Sequence, residues 1–165
     1  MVVKSRKEED VVLHQLDLPH LAFFLGLRVN ELVMARTLKA GFTGVRQSHG
    51  YLVQHLIESD RTITELARRM EVTQQAASKT VAELIRLRVV EAVPAKDRRT
   101  KRIRLSRRGW ECVQLGRRTR TQIAARLIHA AGRRSYENAK STLLTCLRAL
   151  GGVERISSRR IRAPR

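Results

Sequence analysis

The residues with the most chemical reach are basic. Lys96, Arg98, Arg99, Lys101, Arg102, Arg104, Arg107 and Arg108 fall together in one short stretch, where their like charges would repel unless an anionic partner neutralised them. Over the 165 residues, 34 Lys and Arg stand against 15 Asp and Glu, a net charge of +19. That excess has an edge. Residues 1–60 carry seven bases and seven acids, whereas residues 94–126 carry twelve and two. Charge meant only for solubility would not start abruptly at Pro94, so the segment that follows is expected to face a polyanion. A second set is polar: Thr73, Gln74, Gln75, Ser78 and Lys79 lie close in sequence. A Gln amide donates and accepts at once, which matches the edge of adenine, while Lys suits guanine acceptors or a phosphate. Thr73 is equally well explained as a helix cap.

Other chemistries find little support. His14, His20, His49, His55 and His129 share no spacing that makes a metal-ligand cluster, and most are expected to be solvated or singly hydrogen-bonded. Two cysteines, Cys112 and Cys146, cannot make a disulfide framework. There is no Gly-rich phosphate loop, no Gly-x-Ser-x-Gly elbow and no nucleophile beside a base, so an enzyme is not expected, nor a metal or cofactor. Aromatic residues, at 4%, are too few for a single-strand stacking platform, which favours duplex DNA as the polyanion. No uninterrupted apolar run approaches the roughly 18 residues of a membrane span, and the start, MVVKSRKEEDVV, turns acidic where a signal peptide needs an apolar core. A cytoplasmic, nucleoid-associated protein without a membrane partner is therefore expected.

The elements that must hold these residues can be read from periodicity. Leu18, Leu21, Ala22, Leu25, Val29, Leu32 and Val33 form one helical stripe entered through Pro19, and Phe23, Phe24 and Leu27 widen it beyond what one neighbour can cover. A helix apolar on more than one side needs a second surface, which in so small a chain implies a second subunit. Gly41 and Gly44 break the chain, and Tyr51, Leu52, His55 and Leu56 mark a second helix. Thr62 and Glu65 have capping-box spacing ahead of Leu66, Ala67 and Met70, and after Glu71-Val72 a helix with Ala77, Val81 and Leu84 inward would start at the Thr73 cap. Two short helices on so tight a turn read as helix-turn-helix. Val89–Val93 and Arg102–Leu105 then read as a hairpin with a basic tip that holds Pro94 and Asp97. Ser106 starts a long helix interrupted at Gly132, and a last helix ends at Gly151-Gly152.

This order, in a mainly α chain with one small β-hairpin wing, is that of a winged helix-turn-helix set between dimerising helices. The segment TITELARRMEVTQQAASKTVAEL, followed by AKDRRTKRIRLSRRGWE, resembles the MarR-type family of bacterial transcription regulators. The family's Asp-x-Arg falls at Asp97 and Arg99, and its Leu-Thr/Ser-x-x-Gly at Leu105, Ser106 and Gly109. Glu71 and Arg88 stand where the family usually has glycine, so each place is either a strained left-handed backbone or a locally different turn.

The resemblance implies a homodimer with four regions. These are residues 1–45, an N-terminal dimerisation helix with its leader; 46–108, the DNA-binding domain; 109–152, C-terminal dimerisation helices; and 153–165, a basic tail expected to be mobile. It places Thr73, Gln74, Gln75, Ser78 and Lys79 in a major groove. It also puts Arg99 in a minor groove with Asp97 positioning it, and Arg98 and Lys101 beside them. Arg102, Arg104 and Arg107 would meet phosphates. A small, often aromatic, ligand could enter a cleft near Phe24, Arg28, Arg46, His49 and Trp110 and release a repressor from its promoter. The rival expectation is an architectural protein that coats DNA with little sequence preference.

Overall fold

A computed structural model describes residues 14–94, 101–151 and 153. Helix α1, Leu18–Lys39, starts where the Asp17 carboxylate accepts the His20 backbone N–H at 2.9 Å, with proline in the first turn. Val33 and Thr37 are its buried residues, and the helix packs against the long helix α5, Arg107–Ala131. Most of its other large apolar side chains are exposed on the single chain, Phe23 and Phe24 among them. By length and composition alone α1 could cross a membrane. A search for uninterrupted apolar runs misses this, because Arg28, Asn30 and Glu31 break the run.

Positive-φ glycines at 41 and 44 turn the chain into α2, Gln47–Leu56. Helix α3, Ile63–Met70, opens with the expected capping box: Thr62 Oγ1 accepts the Glu65 N–H at 3.1 Å and Glu65 accepts the Thr62 N–H at 2.7 Å. It ends on Glu71, whose φ of 55° is left-handed. Thr73 then caps α4, Gln74–Arg86, accepting the Ala76 N–H at 3.1 Å, and Ala77, Val81 and Leu84 face inward. Arg88, with φ of 57°, makes the second left-handed turn, so both positions that depart from family glycine keep the backbone that glycine would serve.

Strands β1, Val90–Pro94, and β2, Lys101–Leu105, pair antiparallel from Val90 opposite Leu105 to Pro94 opposite Lys101. Pro94 therefore belongs to the strand rather than to the tip, a place open to it because it has no neighbour on its outer side. Arg61 adds a bridge to Ile103 on the inner side of β2. The core joins α2 (Leu52, Leu56), α3 (Leu66), α4 (Val81, Leu84) and the wing (Val90, Ile103, Leu105), so the helix-turn-helix and wing share one apolar cluster. Ser106 caps α5, and at Gly132 the chain turns into α6, Arg133–Ala149, which has no buried residue. Gly109 sits where α5 passes the residue just before β1: a Cβ there would lie 2.0 Å from the Val89 carbonyl oxygen. The expected tail begins at Val153, and residues 154–165 lie outside the described residues.

Candidate nucleic-acid interface

Helix α4 turns one side to the core and the other to solvent. Gln74, Gln75, Ser78 and Lys79 are all exposed opposite Ala77, Val81 and Leu84. Helical spacing sets this, because positions 74, 75, 78 and 79 repeat at three and four residues and so form one face. Thr73 is exposed too, but its hydroxyl is engaged as the cap. Ala82 and Arg86 continue the exposed side, and Arg86 was not singled out in the sequence because it ends a helix where a cation is ordinary.

The wing presents its bases unevenly. Lys101 is exposed at the outer end of β2. Arg102 is turned inward: its guanidinium donates to the Asp60 carbonyl at 2.6 Å and lies 3.7 Å from the Glu65 carboxylate, which fastens the wing to α3. Its expected place on a phosphate is thus occupied by contacts within the chain. Arg104 donates to Glu91 at 2.7 Å and Arg107 to Glu111 at 3.3 Å, both in exposed pairs. Such pairs hold for about 0–1 kcal/mol, little enough for a phosphate to displace the carboxylate. Asp97, Arg98 and Arg99 lie outside the described residues.

A cleft of about 540 Å³ lies between α1, α2 and α5. Asn30, Val33, Met34 and Thr37 of α1 line it, with Arg46 and His49 at the start of α2 and Gly109, Cys112, Val113, Gly116, Arg117 and Arg120 along α5. Of the five residues expected at a ligand cleft, Arg46 and His49 are brought to it. Phe24 and Arg28 precede the α1 stripe that faces it, Arg28 pairing instead with Glu31 at 2.9 Å, and Trp110 does not line it. Arg117 and Arg120 joined it unnoticed, since on a basic helix they resemble solvated charges. Burial pushes the Cys112 thiol up, although Arg108 pulls the other way, so Cys112 is not a ready thiolate.

His14, His20 and His129 are exposed, as expected of most of the histidines, whereas His49 and His55 are buried. The imidazole of His49 is bonded on both sides: Nδ1 accepts the Arg46 backbone N–H at 3.2 Å, so the Nε2–H is left to donate to Glu83 on α4 at 3.1 Å. The Arg46 guanidinium donates to the same Glu83 oxygen. These contacts, the His49 bond foremost, hold the Glu83 carboxyl below the usual carboxylate range.

Two helices on a tight turn, the second with a polar outer face, followed by a basic hairpin, define a winged helix-turn-helix protein. A family model described as the MarR family matches residues 41–100. No curated protein sequence matches the chain significantly. Among solved structures, the complex of Staphylococcus aureus MepR with DNA is similar at a TM-score of 0.65 and 16% identity, over 81% of this chain and 97% of that one. Bacillus subtilis YusO aligns at 0.62 and 20% identity over 89% and 99%. A transcriptional regulator from Thermotoga maritima aligns at 0.58 and 20% over 85% and 96%. The likeness to the MarR family thus lies in sequence over residues 41–100, while the fold is shared with these solved structures over most of the chain.

Proposed function

We propose that the protein is a homodimeric, sequence-specific duplex-DNA-binding transcription regulator, a repressor that a small ligand releases. The observation that carries this reading is α4, whose exposed Gln74, Gln75, Ser78 and Lys79 form a face chemically suited to base edges beside a basic wing. In this reading the residues at Asp97, Arg98 and Arg99 serve a minor groove, Lys101, Arg104 and Arg107 serve phosphates, and Arg102 holds the wing in place. The exposed Leu18, Leu21, Phe23 and Phe24 of α1, Leu144 and Leu147 of α6 and Leu150 just after it support a second copy of the chain as the cover for both helices. The MepR structures, solved with DNA and with ethidium bromide, give a precedent for both kinds of ligand on this fold.

Selection of bound fragments from sheared source-genome DNA at about 150 mM salt tests the reading, because that salt suppresses non-specific Coulombic binding. A two-fold symmetric motif upstream of genes is the expected result. Even recovery across the genome would overturn it in favour of a DNA-coating protein, for which the twelve bases of residues 94–126 would suffice.

A further inference from the structure

The wing and α4 lie apart in the chain, and the ties that hold one against the other gather at the start of α3. Ile103 and Leu105 root the base of the wing in the core. Beside them the backbone link is short. The Arg61 N–H donates to the Ile103 carbonyl at 3.0 Å and the Ile103 N–H to the Arg61 carbonyl at 2.7 Å, an isolated pair among the described residues. Two bonds at one residue pair make a hinge. The second attachment is the Arg102 side chain, one rung nearer the tip, where Arg102 stands opposite Val93. Its guanidinium reaches both the Asp60 carbonyl at 2.6 Å and the neighbourhood of the Glu65 carboxylate at 3.7 Å. Glu65 is itself anchored, because it accepts the Thr62 N–H in the capping box. Among the described residues no other side chain of Lys101–Leu105 bonds beyond the hairpin, since Arg104 pairs with Glu91 of β1. A hinge with a stay one rung away fixes a direction as well as a place.

We infer that Arg102 is a specificity-determining positioning residue that does not touch DNA: its clasp on Asp60 and Glu65 sets the separation between the wing and the outer face of α4. The inference deepens the sequence-specific reading proposed above and rests on it for its consequence on DNA. On an operator, α4 and the wing must meet their own grooves at the same time, so a displaced wing loses the match. On arbitrary duplex the contacts are to phosphates, which recur along every strand, and a displaced wing finds another. A guanidinium spent on a carbonyl and a carboxylate also releases no counterion from DNA. Loss of Arg102 therefore lowers preference and leaves salt dependence alone, the reverse of losing a phosphate contact.

The test uses the full chain, titrated by fluorescence anisotropy from about 50 to about 200 mM salt against the fragment most enriched in the genomic selection and against random duplex of equal length. Arg102→Gln is expected to weaken binding to the enriched fragment by about ten-fold, the worth of one charge-assisted hydrogen bond, and to random duplex by less than about two-fold, with both salt slopes unchanged. Arg102→Lys keeps the charge but not the planar fork, and should lose preference as well. Arg104→Gln is the comparison, and should weaken both complexes and lower the slope by about 0.9. Amide hydrogen exchange reads the clasp without DNA: in Arg102→Gln the Ile103 N–H should exchange faster while the amides of α4 keep their rates. A loss on both duplexes with a lower slope, or full recovery in Arg102→Lys, overturns the inference in favour of a phosphate contact. Unchanged preference, or unchanged exchange at Ile103, overturns it too. A parent chain that prefers no fragment, alongside faster Ile103 exchange in Arg102→Gln, would count against the regulator reading and leave the clasp standing.

Discussion

Arg88 carries a Cβ through a left-handed turn, where its φ is 57°. The turn is fixed from both sides, since the Arg88 N–H donates to the Ile85 carbonyl at 2.8 Å and its own carbonyl accepts the Ser106 hydroxyl at 2.6 Å. A side chain in that region costs about 1–2 kcal/mol, partly offset by the greater freedom glycine has when unfolded. Arg88→Gly should therefore stabilise the fold by about 0.5–1 kcal/mol, seen as a higher urea midpoint at unchanged slope. The opposite holds at Gly109, which is needed for space rather than for its dihedrals. Gly109→Ala would drive a methyl group into the Val89 carbonyl and should cost about 1–3 kcal/mol by the same measurement. The sequence marked both sites for the same reason, a family glycine kept or lost. Residue types alone could not say that one glycine answers to φ and the other to a neighbouring backbone.

At the scale of elements, the boundaries that depend on near neighbours were legible. The Thr62 and Thr73 caps, the Gly41 and Gly132 breaks and the inward Ala77–Val81–Leu84 stripe each follow from residues within a turn or two. What could not be read are ties that depend on how elements are arranged in space. Arg61 meets Ile103, Arg102 meets Asp60, and Glu83 meets Arg46 and His49, all across more than thirty residues. No periodicity records such a partner, and a basic residue reads the same whether it faces DNA or an internal carbonyl. The capping box of α3 also sets a pH dependence. The Thr62 N–H, and after it the Arg102 charge, hold the Glu65 carboxyl below its usual value. A lowered acid stabilises the fold at pH above its unfolded pKa of about 4.3, and this contribution is lost as pH falls through the lower folded value. Glu65→Gln keeps a capping oxygen but does not titrate. It should lose less stability than the parent chain between pH 6 and 3.5, as followed by thermal melts in a single buffer series.

At the scale of the whole molecule, the helix-turn-helix and wing enclose their own core, whereas α1 and α6 leave most of their apolar surface outside. Phe23 and Phe24, edge to face at 5.5 Å, stand on that outer surface, so Phe24→Glu should leave the winged helix folded and shift sedimentation from dimer to monomer. Half-sites bound one at a time would then lose well over about ten-fold in operator affinity. An unaltered sedimentation coefficient would count against the proposed dimer contact on α1. The crossing at Gly109 gives this division a mechanical meaning. Because α5 rests on the Val89 carbonyl with no side chain between them, the wing and the first turn of the bundle helix meet at a joint without play. The far end of α5 is about 33 Å away, at 1.5 Å per residue over 22 residues. A tilt of α5 about this contact would carry its far end over a long arc and the adjoining hairpin over a short one.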